Sequence, residues 1–163
     1  MRLVQITLAD EAEFLAAARR SHQLHHPWVT APITPATFRA LAARSQGPAT
    51  LGYVVRHART DALVGFINIS NIVRGFFQSA YLGYYAFAGH ERQGLMQAAL
   101  RQAVRLAFTE LKLHRLEANI QPGNVASIAL VRSCGFSKEG FSPRYLKIRG
   151  RWRDHERWAI LAR

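Results

Sequence analysis

The chain has 163 residues, 49% of them hydrophobic, and its 22 Lys and Arg against 10 Asp and Glu give a formal net charge of +12. That length suits one domain over residues 1–163 with a sizeable core, and the single cysteine, Cys134, excludes an internal disulfide and a multi-cysteine metal site. No apolar run approaches the roughly 20 residues that span a bilayer, and MRLVQITLADEAEF lacks the apolar core of a signal peptide, so a cytoplasmic setting without a membrane is expected.

Leu3–Ile6 reads as an entry strand, and Asp10 is placed to cap a helix carrying Phe14, Leu15 and Ala18 on one face. Ser21–Pro35 breaks that pattern: His22, His25, His26 and Trp28 stand among prolines 27, 32 and 35, which spells an irregular loop or a broken helix pair. No Cys or carboxylate cluster completes a metal site there, so the loop is expected to line a pocket, with Trp28 as a flat wall or as a plug at the end of the core. Thr37–Arg44 follows as a short amphipathic helix, stopped by Gln46-Gly47-Pro48. Leu51–His57 and Leu63–Ser70 have hairpin spacing, Asn71–Gly75 is the next connection, and Phe76–Phe87 makes a third antiparallel strand.

The chain then changes character at Gly94. Before it, Ala80–Phe87 is rich in Tyr and Phe; after it, Met96, Leu100, Val104, Ala107 and Leu111 recur at three- and four-residue steps, so a strand feeds a helix. A helix start carries unpaired N–H groups and the positive end of the dipole, and Gly94 has no Cβ to keep a ligand away. Such a turn either cradles a phosphate or pyrophosphate or merely connects a strand to a helix. Arg115–Ile120 is a further strand, Asn124 can cap a helix over Val125–Ser133 that Gly135 ends, and Phe141–Ile148 with Trp152–Leu161 close the chain about Arg149–Arg151. The order is β, α, α, β, β, β, α, β, α, β, β, an α/β chain of the α+β kind. The arginine surplus suits planar contact with phosphate or carboxylate, or a generally basic solvated surface; there is no basic run or repeat.

This order, the ERQGLM turn at 91–96, Asn124-x-x-Ser127-x-x-Leu130 and Cys134-Gly135-Phe136 resemble the GNAT N-acetyltransferases. Within them, His26-Pro27-Trp28, SNIVRGFF (70–77), YLGY (81–84), KEG (138–140) and GRWRDH (150–155) resemble the Rim-type (RimJ/RimL) ribosomal-protein N-terminal acetyltransferases, and the similarity covers nearly the whole chain. It implies the GNAT fold: a central mixed, mostly antiparallel twisted sheet, splayed between its fourth and fifth strands and flanked by helices. It implies acetyl-CoA as cosubstrate and no metal. By position, Arg92, Gln93, Gly94, Leu95 and Met96 would take the pyrophosphate; Tyr84, Tyr85, Ala86 and Phe87 would run beside the pantetheine; Asn119 and Asn124 would add cofactor contacts. Glu91 stands where the family's loop opens with Gln or Arg, and Arg144 where Rim relatives carry a carboxylate.

Acetyl transfer needs a neutral amine, a polarised thioester and a proton for the leaving thiolate. A protein α-amine, with a pKa of about 7.7–8.0, is far more often neutral near pH 7 than a lysine at about 10.4, so it needs only a weak base. The catalytic candidates are Ser127 and Tyr145, as donors to the thiolate, and Glu117, acting through water. Ser127 could instead cap its own helix, and Glu117 could serve a structural ion pair. The acceptor is expected to enter past His25, His26, Trp28, Asn71, Arg74 and Arg151. It is expected to be a protein N-terminus, such as that of a ribosomal protein, with ribosome association. A small amine, such as a polyamine or an antibiotic, is a second reading, set back by the lack of an acidic pocket. A basic ribosome- or RNA-associated module with little turnover is a third, set back because basic residues are not interleaved with exposed aromatics.

Overall fold

In the computed structural model, which describes residues 1–162, one eight-stranded sheet takes up the alternating segments of the chain. Its strands are β1 (Arg2–Gln5), β2 (Gln46–Gly47), β3 (Thr50–Arg56), β4 (Leu63–Val73), β5 (Ser79–Ala86), β6 (Arg115–Ile120), β7 (Ser137–Ile148) and β8 (Arg151–Leu161). They lie in the order β1-β3-β4-β5-β6-β8-β7, with β2 paired to β3. Every pairing is antiparallel except that of β5 with β6, the strands joined through a helix. The helices are α1 (Glu11–Arg20), the single turn α2 (His22–His25), α3 (Pro35–Arg44), α4 (Leu95–Thr109) and α5 (Val125–Ser133), with a short 3-10 turn at Leu8–Asp10.

Two buried clusters fill the space between sheet and helices. Met96, Ala99, Leu100 and Ala103 of α4 and Val131 of α5 pack on Ile67, Ile69, Leu82 and Leu116; Phe14, Leu15, Phe38 and Leu41 of α1 and α3 pack on Val54, Phe66 and Phe87. β5 divides its residues between them, Ala80 and Leu82 going to the α4 side and Tyr85 to the α1 side, as the two-residue period of a strand requires, and Phe87 just after the strand joins the α1 side.

Local chemistry moves several expected boundaries. Thr34 caps α3 by accepting the Thr37 N–H at 3.3 Å, and Pro35 occupies the first helical position, where its missing N–H costs nothing, so α3 starts two residues before Thr37. Asp10 does not cap α1: its carboxylate accepts the Thr7 N–H at 2.8 Å and a hydrogen bond from Arg56 at 2.8 Å. β4 continues past Ser70, because Asn71 at φ 50° bulges out and pairing resumes at Val73–Ser79. The strand that follows therefore starts at Ser79 rather than Phe76. Phe76 and Phe77 project from the hairpin tip beside Arg74, exposed aromatics next to a cation that the sequence pattern alone does not present.

Phe14 is the hub of the α1-side cluster, with ring centroids 5.1 Å from Phe38, 5.8 Å from Phe66 and 5.2 Å from Phe87. Phe14→Ala is expected to lower the stability by about 3–5 kcal/mol, read from chemical denaturation, because three rings lose a common partner and the sheet cannot collapse into the gap.

Candidate active site

β5 stays with β6 for Ser79, Ala80 and Tyr81 and then leaves it, while its pairing with β4 runs on to Ala86. From Leu82 onward the β6-facing edge of β5 has no strand partner, and a cleft of about 730 Å³ opens between β5, α5 and the turn before α4. An unpaired strand edge offers alternating N–H and C=O groups to any extended chain that carries amides.

At the mouth of the cleft, Gly89, Arg92 and Gly94 take φ values of 97°, 57° and 71°. Left-handed residues interspersed in a turn swing successive N–H groups inward, the geometry of an anion-binding nest. Gly94 is the residue before α4; no side chain caps that helix, and a Cβ built on Gly94 would meet nothing within 4 Å. Open space, free first-turn N–H groups and a helix dipole coincide there. Glu91, the acid the sequence leaves in this loop, folds back so that its Oε2 accepts the Gly89 N–H at 2.8 Å, and these loop amides hold its carboxyl below the usual carboxylate range.

Deeper in, Asn124 caps α5, its Oδ1 accepting the Ser127 N–H at 3.2 Å, which leaves the Ser127 hydroxyl free of its own helix. That hydroxyl lies 2.6 Å from the phenol of Tyr84. On the opposite wall, His25 donates Nε2–H to Ala86 O at 2.7 Å, and the buried Ser21 hydroxyl accepts the Ala88 N–H at 2.8 Å while donating to Ala17 O at 2.7 Å. The far end of β5 is therefore clamped to α1 and α2.

The structure brings Tyr84, Tyr85, Ala86, Arg92, Gly94, Leu95, Met96, Asn124 and Ser127 to the cleft, together with His25 and Trp28. Phe87 is fully buried in the α1-side core, and Gln93 stands exposed on the loop, its side chain turned to Gly89 O. Asn119 lies on β6, its Oδ1 buried without a hydrogen-bond partner. Glu117 pairs with Tyr81 at the last rung before the strands part, and its carboxylate accepts from Arg115 at 2.8 Å. Tyr145 of β7 sits beside Tyr81, whose phenol is pushed up to about 12 by hydrogen bonding with the Tyr145 hydroxyl and by burial. Tyr81, Glu117 and Tyr145 therefore gather where the strands divide, away from the Ser127 wall.

Asn71 and Arg74 are not brought to the cleft. They lie at the C-terminal end of β4, beside the start of β5 and at the other end of the strands from the cleft, and the Arg74 guanidinium donates to Leu111 O just past the C-terminus of α4. His26 does not line the cleft, and Arg151 stands exposed at the β7–β8 turn. The residues just after it do form a second groove of about 270 Å³, in which Trp152, Arg153 and Asp154 face Trp28, Gln121, Pro122 and Gly123. Trp28 borders both grooves, so it is a wall rather than a plug. Sequence reasoning missed the Tyr84 hydroxyl, Ser21, Tyr81 and the Trp152–Asp154 segment; only the alternation in Tyr81-Leu82-Gly83-Tyr84 hinted that these two tyrosines face opposite sides. Arg144 has φ 47°, and its N–H donates to Asp154 Oδ1 at 2.8 Å across the hairpin. Among the described residues no group of three His, Cys, Asp or Glu could hold a metal ion, and no helix is long and apolar enough to cross a membrane.

Residues 1–137 match the family model described as an acetyltransferase (GNAT) domain. The chain is 42% identical over 104 residues to the probable N-acetyltransferase YjcK of Bacillus subtilis, covering 64% of this chain and 58% of that protein. It is 43% identical over 93 residues to the ribosomal protein uS5-alanine N-acetyltransferase of Escherichia coli, covering 57% and 48%. It thus spans about half the length of these curated relatives. Among solved structures, Mycobacterium smegmatis RimJ in complex with CoA-disulfide superposes with a TM-score of 0.91 at 27% identity, over 98% of this chain and 81% of that one. A Vibrio cholerae spermidine N-acetyltransferase in complex with CoA and spermine shares the fold, with a TM-score of 0.82 at 21% identity over 98% and 94%.

Two outcomes follow from the mouth and wall of the cleft. Glu91→Gln removes a negative charge from the nest and is expected to tighten CoA binding about 2- to 5-fold at low salt by calorimetry, an advantage that fades as salt screens the exposed site. Burial pushes the His25 imidazole below its ordinary range, with the Ala86 bond only partly offsetting it. The unfolded chain therefore takes up a proton near pH 6.5 that the folded chain resists, so the His25 contribution is whole above about pH 6.5 and is lost as pH falls toward the folded value. Wild type is expected to lose more stability than His25→Gln between about pH 7.5 and pH 5.5 in denaturant titrations.

Proposed function

The chain belongs to the GNAT acetyltransferase family, and we propose that it transfers the acetyl group of acetyl-CoA to an amine, specifically the α-amine of a protein N-terminus such as that of a ribosomal protein. The observation that carries this reading is the continuity of the cleft, which joins the uncapped start of α4, the free edge of β5 and the Ser127 hydroxyl in one space. The residues present fit the coenzyme. The nest and the open space at Gly94 suit a pyrophosphate, and the β5 edge suits amide groups of an extended arm. When bound, acetyl-CoA supplies the activated acyl group.

The chain's own residues then divide the remaining work. Ser127, on the α5 wall, is the donor to the leaving sulfur. Tyr81 and Tyr145 meet on the other side of the division between β5 and β6, where an incoming amine can shed its proton by way of water. Glu117 is held by Arg115 and sets the charge there rather than acting freely. The groove between Trp28 and Trp152 is the approach for the acceptor chain, with Arg151 at its rim. Asp154, the one carboxylate in that groove, is already bonded to the Arg144 N–H and stands next to Arg153, a poor bed for a polyamine. A peptide with a single α-amine suits it better.

Thiol release from acetyl-CoA is the test, run against short peptides with Ala, Ser, Thr or Met at the N-terminus beside lysine peptides, polyamines and aminoglycosides. Turnover confined to α-amine peptides is the expected result. Turnover of polyamines or aminoglycosides alone would overturn the peptide reading while leaving the transferase, and no turnover with any amine would overturn both.

A further inference from the structure

We propose that Tyr84 is a positioning residue for Ser127: its phenol donates to the serine oxygen and so turns the serine's own proton toward the coenzyme sulfur in the cleft. This rests on the proposed acetyl-CoA site.

The placement follows from the strand period. Tyr84 shares a face of β5 with Ala80 and Leu82, its ring packs against the α4-side cluster, and its hydroxyl reaches the first turn of α5. Two acceptors are within its reach, Ser127 Oγ at 2.6 Å and Ser127 O at 3.3 Å, and the first is at the short end of the O–H···O range. Ser127 Oγ has no other hydrogen-bond partner among the described residues, and its backbone N–H is already taken by Asn124. A hydroxyl has one proton and two lone pairs. Once a lone pair accepts the phenol proton, the serine proton has no protein acceptor left and opens on the space that both residues line.

Burial pushes the Tyr84 phenol well above its ordinary value, so it stays protonated wherever acetyl transfer to an amine runs. For the same reason it is no acid toward a thiol of pKa about 8.5. Its contribution is a fixed hydrogen bond, which orients Ser127 and strengthens it as a donor, because hydrogen bonds in a chain polarise one another. In the transfer step the amine nitrogen forms the new N–C bond, the C–S bond breaks, and its electron pair goes to sulfur. The amine's surplus proton leaves to water, and the thiolate, held by the Ser127 hydrogen bond, is protonated from water.

The test reads the thiol of bound CoA, not turnover. In the CoA complex, titration followed by thiolate ultraviolet absorbance is expected to give a thiol pKa about one unit below that of free CoA, since a hydrogen bond to the charged form favours it. Ser127→Ala and Tyr84→Phe are each expected to return most of that shift, Ser127→Thr to keep it, and the double variant Tyr84→Phe with Ser127→Ala to match Ser127→Ala alone. Tyr84→Phe keeps the ring that packs the core, and a melt by circular dichroism checks that it folds. An unshifted response to Tyr84→Phe, or an equal further change when it is added to Ser127→Ala, would overturn the proposal. Failure of wild type to bind CoA in calorimetry would instead overturn the proposed site on which it rests.

Discussion

The parting of β5 from β6 after Tyr81 is the constraint on which the rest of the molecule depends. Parallel pairing is somewhat weaker per residue than antiparallel pairing, and here it is kept to three rungs, while β4 goes on supporting β5 from the other side. The strand edge left over carries polar groups that a buried setting has to satisfy. Helix α5 stands against the opening through its first turn, and the Tyr84–Ser127 contact ties that turn back to β5. The cleft is thus a consequence of sheet topology, and the side chains within it are placed by the same two elements that separate.

Stiffness at the far end complements that separation. Ser21 and His25 take the Ala88 N–H and the Ala86 carbonyl, so the strand is anchored just where it turns into the glycine-bearing loop. Anchoring a strand end and leaving its edge free preorganises the edge, which lowers the ordering cost of a ligand that pairs with it. The loop beyond is less constrained and satisfies part of its own nest with Glu91. A carboxylate from the chain occupies amides there that an external anion would use.

Charge is distributed so that acids rarely stand alone. Seven of the ten carboxylates pair with Arg or Lys, while Glu91 and Asp154 accept backbone N–H groups. The Arg56 pair with Asp10 is largely buried and ties β3 to the start of α1, whereas pairs such as Arg2 with Asp61 are exposed and contribute little. What remains uncompensated on the surface is positive, so the field around the molecule draws anionic groups and disfavours polycations.

The sequence by itself determined the succession of elements, because hydrogen bonds and apolar periods within a segment are local. The change of period at Gly94 located the start of α4 to a residue, Asn124 marked the cap of α5, and the alternation in Phe66-Ile67-Asn68-Ile69-Ser70 marked β4. Motif spacing, read through family resemblance, also singled out most of the residues that line the cleft. Tertiary structure alone decided which residues meet. Tyr84 and Ser127 are 43 positions apart and touch because a helical crossover returns the chain beside β5. Asn71 and Arg74 are drawn away because β4 runs on through a bulge to the start of β5, at the other end of the strands from the cleft. Trp28 becomes a wall because the turn at Gly123 comes up against its ring. Such contacts depend on register and on the path of whole strands, and no local pattern of side chains records either.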